Sequence, residues 1–226
     1  SNLNSLTSTY TPSISDGTVT LTLTSVDSDG TGPCTTVIDT VVITVNPATI
    51  VDAGSPQTVC EGGTINLAGS ISGGTSNGTW SASSGEFSNP NSLTSIYTPS
   101  ISNGTVTLTL TSDDWDGAGP CSTVSDTVVI TVNPATTVDA GIPQTVCEGG
   151  TINLAGSITG GTTNGTWSAS RGSFSNPNSL TSIYTPSISN GTVTLTLTSN
   201  DSDDTGPCAT VSDTVVITVN PATTVD

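Results

Sequence analysis

The chain has 226 residues, of which 18 are acidic and one is arginine, with no lysine and no histidine, so its formal net charge is −17. Such a chain has nothing to neutralise phosphates, which excludes nucleic acid as a partner and argues against anionic membrane surfaces. No stretch is long and apolar enough to span a bilayer, so we expect no membrane insertion in this segment.

The sequence repeats with a period of 87 residues, as the spacing of Cys34, Cys121 and Cys208 shows. A period this long indicates that each repeat is a small domain with its own core. We therefore expect a window on a longer array, divided into the C-terminal half of a β-sandwich repeat (1–47, the half-unit), a complete repeat (48–134, the first unit), a second complete repeat (135–221, the second unit) and the start of a further repeat (222–226). The two complete units differ at 11 of their 87 positions.

Within the second unit, the predicted elements follow one another as short strands separated by turns. The first strand, 138–146, is broken at Gly141-Ile142-Pro143, which suits the edge of a sheet. Further strands are expected at 151–157, at 166–169, around Phe174, at 180–185, at 191–199 and at 212–220. Seven short strands with turns every 8–12 residues are typical of a β-sandwich.

The last two strands of each repeat carry the clearest pattern, because apolar residues alternate with threonine. A period of two places one face of a strand in the core and the other in solvent. The residues predicted to point inward in the first unit are Val106, Leu108, Leu110, Val128, Ile130 and Val132. Trp80 and Trp167 are the predicted core anchors of the two units.

The runs VDAGIPQTVCEGGTINLAGS, GTWSAS, YTPSISNGTVTLTLTSNDSDDTGPC and SDTVVITVNP resemble the PKD-like, immunoglobulin-like tandem repeats of giant cell-surface and gliding-adhesin-type proteins of Bacteroidota. The resemblance covers essentially the whole chain. It implies an all-β fold of tandem immunoglobulin-like sandwiches, export by the type IX pathway, and an extracellular or cell-surface location in a stalk-like or adhesive part.

The five cysteines, with no histidine and no CxxC pair, are interpreted as disulfide partners in an oxidising setting rather than as zinc ligands. Pairing inside each repeat would join Cys60 to Cys121 and Cys147 to Cys208. Strand polarity favours Cys60–Cys208 between units instead, because Cys60 and Cys121 would lie at opposite poles of one sandwich, about 25 Å apart. Cys34, Cys121 and Cys147 would then pair with repeats outside the window or be left open by truncation. A long loop folding down a short sandwich would restore the pairing within a repeat.

The loop between the last two strands is acidic in every repeat. Carboxylates that alternate before a glycine can surround a calcium ion, although the closing glutamate of an EF-hand is absent. The other interpretation is a solvated turn. The candidate calcium ligands are Asp27, Asp29, Asp113, Asp114, Asp116, Asp201, Asp203 and Asp204.

Three Asp-Thr-Val triplets are similar to the O-glycosylation acceptors of Bacteroidota, with Thr40, Thr127 and Thr214 as the candidate sites, but they are equally ordinary strand starts. Four Asn-Gly-Thr sequons also serve as turn signals, at Asn77, Asn103, Asn164 and Asn190. The ranks of threonine in each repeat are interpreted either as a flat ligand face or as the solvent face of a strand. Trp115 stands at a loop tip and is a candidate contact point.

No nucleophile is paired with a base, so we expect no enzyme and no required cofactor, calcium being the one candidate. We expect a structural segment of a long extracellular filament or adhesin stalk, a mechanical spacer. The expected partners are neighbouring repeats of the same array and identical chains in a filament. The alternative is an extracellular binding module for carbohydrate, a host surface or ice, built from the same repeats.

Overall fold

The computed structural model describes residues 5–27, 30, 32–33, 35–114, 116–117, 119, 121–201 and 206–223. These residues form twenty strands and no helix. The half-unit contains β1 Gly17–Thr24 and β2 Ile38–Val45. The first unit contains β3 Ile50–Asp52, β4 Gln57–Cys60, β5 Ile65–Asn66, β6 Ser70–Ser72, β7 Gly78–Ala82, β8 Glu86–Phe87, β9 Ile96–Thr98, β10 Gly104–Ser112 and β11 Ser125–Asn133. The second unit contains β12 Thr137–Asp139, β13 Gln144–Cys147, β14 Ile152–Asn153, β15 Ser157–Thr159, β16 Gly165–Ala169, β17 Ser173–Phe174, β18 Ile183–Thr185, β19 Gly191–Ser199 and β20 Ser212–Asn220.

One layer of the first unit is built on the long hairpin that the threonine alternation predicts. β10 and β11 pair antiparallel, in a register that places Gly104 opposite Val132 and Leu110 opposite Asp126. β7 pairs antiparallel with β10, and β4 pairs parallel with the other edge, at β11. The result is a four-stranded sheet in the order β4–β11–β10–β7.

The opposite layer consists of short strands that are joined side by side by backbone hydrogen bonds. β9 pairs with β5 and with β8, and β3 pairs with β6. Between β5 and β6, the amides of Leu67 and Gly69 donate to the carbonyls of Ser95 and Leu93, at 2.9 and 3.1 Å. These bonds make β5 and β6 one interrupted strand, so the layer runs β3–β6/β5–β9–β8.

The predicted break in the first strand is where the chain passes from one layer to the other. β3 belongs to the layer of short strands, whereas β4 lies beside β11. Gly54, between them, has φ +85°, a conformation that a residue with a Cβ rarely adopts. Pro56 follows two residues later, just before β4, where no ladder hydrogen bond is required.

Each complete unit has its own core between the two layers, with Trp80 and Trp167 among the buried residues, as predicted. Phe87 packs between Trp80 and Tyr97, with ring centroids 6.4 and 5.0 Å away, respectively. Tyr97 is fully buried, and its hydroxyl donates to the carbonyl of Ser84 at 2.6 Å. Burial raises the pKa of Tyr97, so the phenol remains a donor.

All six inward residues predicted for the first hairpin are buried, at 0–3% exposure. The second unit repeats the same pairings, with a sheet in the order β13–β20–β19–β16. The all-β prediction of tandem immunoglobulin-like sandwiches is therefore confirmed. Within the described residues there is no apolar helix of membrane-spanning length.

Candidate functional site: the junction between the complete units

A disulfide joins the two complete units. Cys60 ends β4 and lies opposite Asn133, the last residue of β11, so it marks the pole where the chain leaves the first unit. Cys208 lies in the connection between β19 and β20, at the pole of the second unit that meets this exit. The two residues are bonded, with a Cα–Cα distance of 5.5 Å and 148 residues of sequence separation. This is the pairing between units that strand polarity favours, not the pairing within a repeat.

The turn after Cys60 holds the linker in a fixed place. The amide of Glu61 donates to the carbonyl of Asn133 at 2.8 Å, and the carboxylate Oε2 of Glu61 accepts from the amide of Ala135 at 3.1 Å. Glu61 is thus bonded to the residues on both sides of Pro134. A carboxylate fastened to a linker amide limits how the next unit can pivot, because a charge-assisted hydrogen bond is among the stronger ones.

The linker enters the second unit beside Gly160, which packs against the backbone of Ala135. Gly160 has φ +96°, and a Cβ placed on it would lie 1.9 Å from the carbonyl oxygen of Ala135. Only glycine permits this close approach of two backbone segments. Gly73 stands in the same relation to Ala48, with a corresponding distance of 2.0 Å. The linkers into both complete units are therefore seated in the same way.

A second carboxylate fastens the first strand to the last within each unit. Asp126 accepts a hydrogen bond from the amide of Ala53 at 2.8 Å, and Asp213 accepts from Ala140 at the same distance. The bond from Ala53, with a further one from Thr127, lowers the pKa of Asp126 below its ordinary value. Asp126 therefore remains ionised while it holds the two layers together at their edge.

The other cysteines that the structure describes are free thiols. Cys121 is half-buried in the loop between β10 and β11, and Cys147 is exposed at the end of β13. Cys121 occupies in the first unit the place that Cys208 has in the second, and Cys147 occupies the place of Cys60. Cys34 lies outside the described residues.

The acidic loops are only partly described, and the predicted ligands Asp29, Asp203 and Asp204 lie outside that part. Asp27 and Asp114 each accept the amide three residues later, from Gly30 and Gly117, both at 3.2 Å. Such bonds are typical of a self-capped turn.

Asp116 accepts from the amide of Cys121 at 3.3 Å through Oδ2, while its Oδ1 is buried without a partner. Asp113 is exposed, and Asp201 lies next to residues outside the described part. The described residues bring together no group of three or more histidine, cysteine or acidic side chains that could hold a metal ion. Calcium binding stays a prediction.

The candidate glycosylation sites are exposed. Thr40, Thr127 and Thr214 face solvent on the last strand of each repeat, and the four sequon asparagines, at positions 77, 103, 164 and 190, do so in turns. The aspartate before Thr127 and the one before Thr214 have the structural role described above. Glycosylation stays a prediction, and Trp115 lies outside the described residues.

The threonine ranks form the outer face of the hairpin sheet. Thr105 lies opposite Thr131 and Thr109 opposite Thr127, with Ser81 beside Thr109 on the neighbouring strand. Hydroxyls thus line most of this face, interrupted by the exposed Val129 opposite Thr107, and β10 carries no charged side chain.

The sequence analysis did not identify Glu61 and Asp126 as residues whose carboxylates join distant segments of the chain. Cys-Glu-Gly-Gly and Ser-Asp-Thr-Val recur at the 87-residue period, but so do most positions of the repeat, so the recurrence does not single out these two residues.

The chain is similar to several solved structures, all at low sequence identity. No protein-family profile matches the chain, and no curated protein does. Among solved structures, it is similar to the titin I-band fragment I67–I69, at 13% identity over 81% of this chain and 70% of that chain, with a TM-score of 0.47. It is also similar to the insect immune protein hemolin, at 12% identity over 89% and 56%, with a TM-score of 0.47. A third similarity is to mouse cadherin-23 EC22–24, at 17% identity over 92% and 75%, with a TM-score of 0.41. Similarity at this level says nothing about function.

Proposed function

We propose that the chain is a load-bearing structural segment of a long extracellular filament or adhesin stalk, a spacer without catalysis. The observation that carries the proposal is the Cys60–Cys208 disulfide between two complete units. A disulfide of this kind persists in an oxidising environment, which supports an extracellular or cell-surface location. The resemblance to PKD-like repeats of Bacteroidota points the same way.

The disulfide changes the path that a pulling force takes. Without it, tension passes through every residue of both units. With it, tension enters the first unit along β3 and β4, crosses from Cys60 to Cys208, and leaves along β20. The residues between the two cysteines lie in a covalently closed loop and bear no load even if they unfold. A spacer with this arrangement keeps its length under forces that unfold an unlinked array.

The surfaces of the two complete units are nearly identical, which suits a spacer better than a binder with one specialised patch. Glu61 and Gly160 add non-covalent restraint at the same junction. The partners proposed on this basis are neighbouring repeats of the same array and identical chains alongside in a filament.

Single-molecule pulling from the two ends tests the proposal. The closed loop should withhold about 500 Å of contour length, since the two cysteines are 148 positions apart in sequence and each position spans roughly 3.4 Å. Cys60→Ser should release that length. Cys147→Ser removes the exposed cysteine of the same Cys-Glu-Gly-Gly turn in the second unit and should leave the extension short.

Full extension of the oxidised native chain would overturn the load-bearing role. A specific signal on a glycan array, or affinity for ice, from the native chain would favour the binding-module alternative.

A further inference from the structure

The complete units contain four Asn-Gly pairs, and the structure places these pairs in two different settings. The asparagines, at positions 77, 103, 164 and 190, are all exposed. Gly78 and Gly165, which follow the first and the third, are buried. Gly104 and Gly191, which follow the second and the fourth, are exposed. The setting of the glycine matters chemically, because its main-chain nitrogen can attack the side-chain amide of the asparagine before it.

The pair Asn77-Gly78 is held in place on both sides. The amide of Asn77 donates to Thr75 Oγ1 at 3.1 Å, and its carbonyl accepts from the amide of Asp113 at 3.0 Å. A Cβ placed on Gly78 would lie 2.5 Å from two neighbouring atoms, so there is no free space beside this glycine. Asn164 has the corresponding two hydrogen bonds, at 3.2 and 2.9 Å. These bonds oppose the main-chain rotation that would bring the glycine nitrogen to the side chain of the asparagine.

The pair Asn103-Gly104 lies in the bend that enters β10, with open space around it. Gly104 has φ +111° and Gly191 has φ +115°, and nothing lies within 4 Å of a Cβ placed on either. Gly104 is opposite Val132 in the terminal residue pair of the hairpin, and strand ends open most easily. Within the described part of the chain, the asparagines of these two pairs make no main-chain hydrogen bond of the kind that fixes the buried pairs.

The half-unit carries an aspartate at the same position as these two exposed asparagines. Residues 98–108 and 185–195 both read TPSISNGTVTL, whereas residues 11–21 read TPSISDGTVTL. Asp16 is therefore the counterpart of Asn103 and Asn190. Gly17, which follows it, has φ +109° and begins β1 in the register of the complete units. An aspartate at this position is thus compatible with the turn and with the hairpin.

We propose that Asn103 and Asn190 are sites of spontaneous deamidation and that the fold protects Asn77 and Asn164. Asparagine is among the chemically labile residues. The nitrogen of Gly104 loses its proton and attacks Cγ of Asn103, a C–N bond forms, and the side-chain nitrogen leaves as ammonia, which gives a succinimide. One water molecule then opens the ring at either carbonyl, to give aspartate or isoaspartate. The inference is independent of the load-bearing role.

Each event replaces a neutral amide by a carboxylate. Reaction at both sites takes the formal net charge from −17 to −19, since each site adds one negative charge. In the first unit the new charge appears at the pole where the chain leaves the unit, because Gly104 is opposite Val132, one residue before Asn133. The carbonyl of Asn133 accepts from the amide of Glu61 at this pole. Deamidation thus adds negative charge at the end of the unit that already carries Glu61.

The test incubates the native chain at mildly alkaline pH in water that carries a heavy oxygen isotope, beside the same chain unfolded in guanidinium chloride. Chymotrypsin, used afterwards in ordinary water, cuts after aromatic residues and leucine and places the four asparagines in peptides 68–80, 98–108, 155–167 and 185–195. The heavy oxygen marks newly formed aspartate and isoaspartate, which separates them from peptide 11–21, where aspartate is already present.

In the native chain, we expect peptides 68–80 and 155–167 to convert at least about tenfold more slowly than 98–108 and 185–195, because a buried segment must open first. In the unfolded chain all four should convert at similar rates. Equal rates for the four pairs of the native chain would overturn the proposal, and so would protection of all four or faster conversion of the two buried pairs.

Variants assign the reaction to single sites. Peptides 98–108 and 185–195 have the same sequence, so Asn190→Asp leaves Asn103 as the only source of the converted peptide, and Asn103→Asp does the reverse. Both single variants should still convert. The double variant should migrate in isoelectric focusing with the fully converted native chain and gain no further charge on incubation. Continued gain of negative charge by the double variant would place the reaction at other residues and contradict the assignment.

Discussion

The half-unit and the first unit have almost the same sequence over the matching positions 5–47 and 92–134, but they differ in how deeply the matching residues are buried. Both form the long hairpin in the same register. Tyr97 is fully buried within β9, but its counterpart, Tyr10, is 42% exposed and belongs to no strand. The comparison teaches that the hairpin is a local property of the threonine alternation, whereas the short strand at 96–98 needs its neighbours β5 and β8 to form.

The largest difference in stability is expected between substitutions of Leu110 in the first unit and of its counterpart, Leu23, in the half-unit. Leu110→Ala should destabilise the first unit by about 2–5 kcal/mol, because it leaves a cavity between the layers. Leu23→Ala, at the matching exposed position, should change stability by no more than about 0.5 kcal/mol. Differential scanning calorimetry of the two variants measures both values. Equal losses would mean that the half-unit has a core of its own.

The next effect concerns the two linkers, one closed by a disulfide and one without. Gly160→Ala forces a Cβ against the carbonyl oxygen of Ala135 at φ +96° and should cost about 1–3 kcal/mol in the second unit. Gly73→Ala should lower the free energy of unfolding of the first unit by a similar amount, because a Cβ at position 73 would meet the carbonyl oxygen of Ala48 in the same way.

Gly191→Ala is the control for backbone strain, since φ is +115° there but nothing lies within 4 Å of the new Cβ. It should cost less than Gly160→Ala in chemical denaturation. A smaller loss at Gly73 than at Gly160 would show that the disulfide holds the second linker more tightly than the first.

A smaller effect on stability is expected from Asp126, whose carboxylate joins β11 to Ala53, the residue after β3. The folded-state pKa of Asp126 lies below its ordinary value of 3.8, so its contribution is fully present above that value and is lost as the pH falls through the folded-state pKa. Asp126→Asn should lower the melting temperature of the first unit at pH 7 and flatten its decrease on acidification.

The matched control is Asp39→Asn, because Asp39 bonds the amide of Thr40 but the half-unit has no counterpart of Ala53. It should leave the melting temperature of the first unit at pH 7 unchanged. A pH dependence unchanged by Asp126→Asn would assign the acid sensitivity to other carboxylates.

The smallest effect is expected from calcium. Asp27 in the half-unit and Asp114 in the first unit already cap their own loops. Adding calcium to EDTA-treated protein should therefore raise the melting temperature by less than the roughly 4 °C that 1 kcal/mol of stabilisation gives a domain of this size. A larger rise that Asp114→Asn removes would establish a calcium site.

The repeat, the fold class and the inward faces of the long strands can be predicted from the amino-acid sequence alone. These follow from local patterns, since alternation with threonine fixes which side of a strand is apolar, as at Leu108 and Ile130. The break in the first strand of the second unit also follows from a local pattern, because Gly141 and Pro143 interrupt a regular strand. The pairing of Cys60 with Cys208 follows from the direction in which each strand must run, although the two residues are 148 apart in sequence.

The hydrogen bonds between residues far apart in sequence become apparent only in the folded chain. Asp126 and Ala53 are 73 residues apart and Glu61 and Ala135 are 74 apart, so neither bond has a local signature. Burial likewise depends on whether a second layer is present, which is why Leu23 and Leu110 differ although their neighbours along the chain are nearly the same. Hydrogen bonds and apolar contacts act over a few ångströms in space, so a pattern along the chain leaves a distant partner unidentified unless strand direction places both residues at one pole, as it does for Cys60 and Cys208.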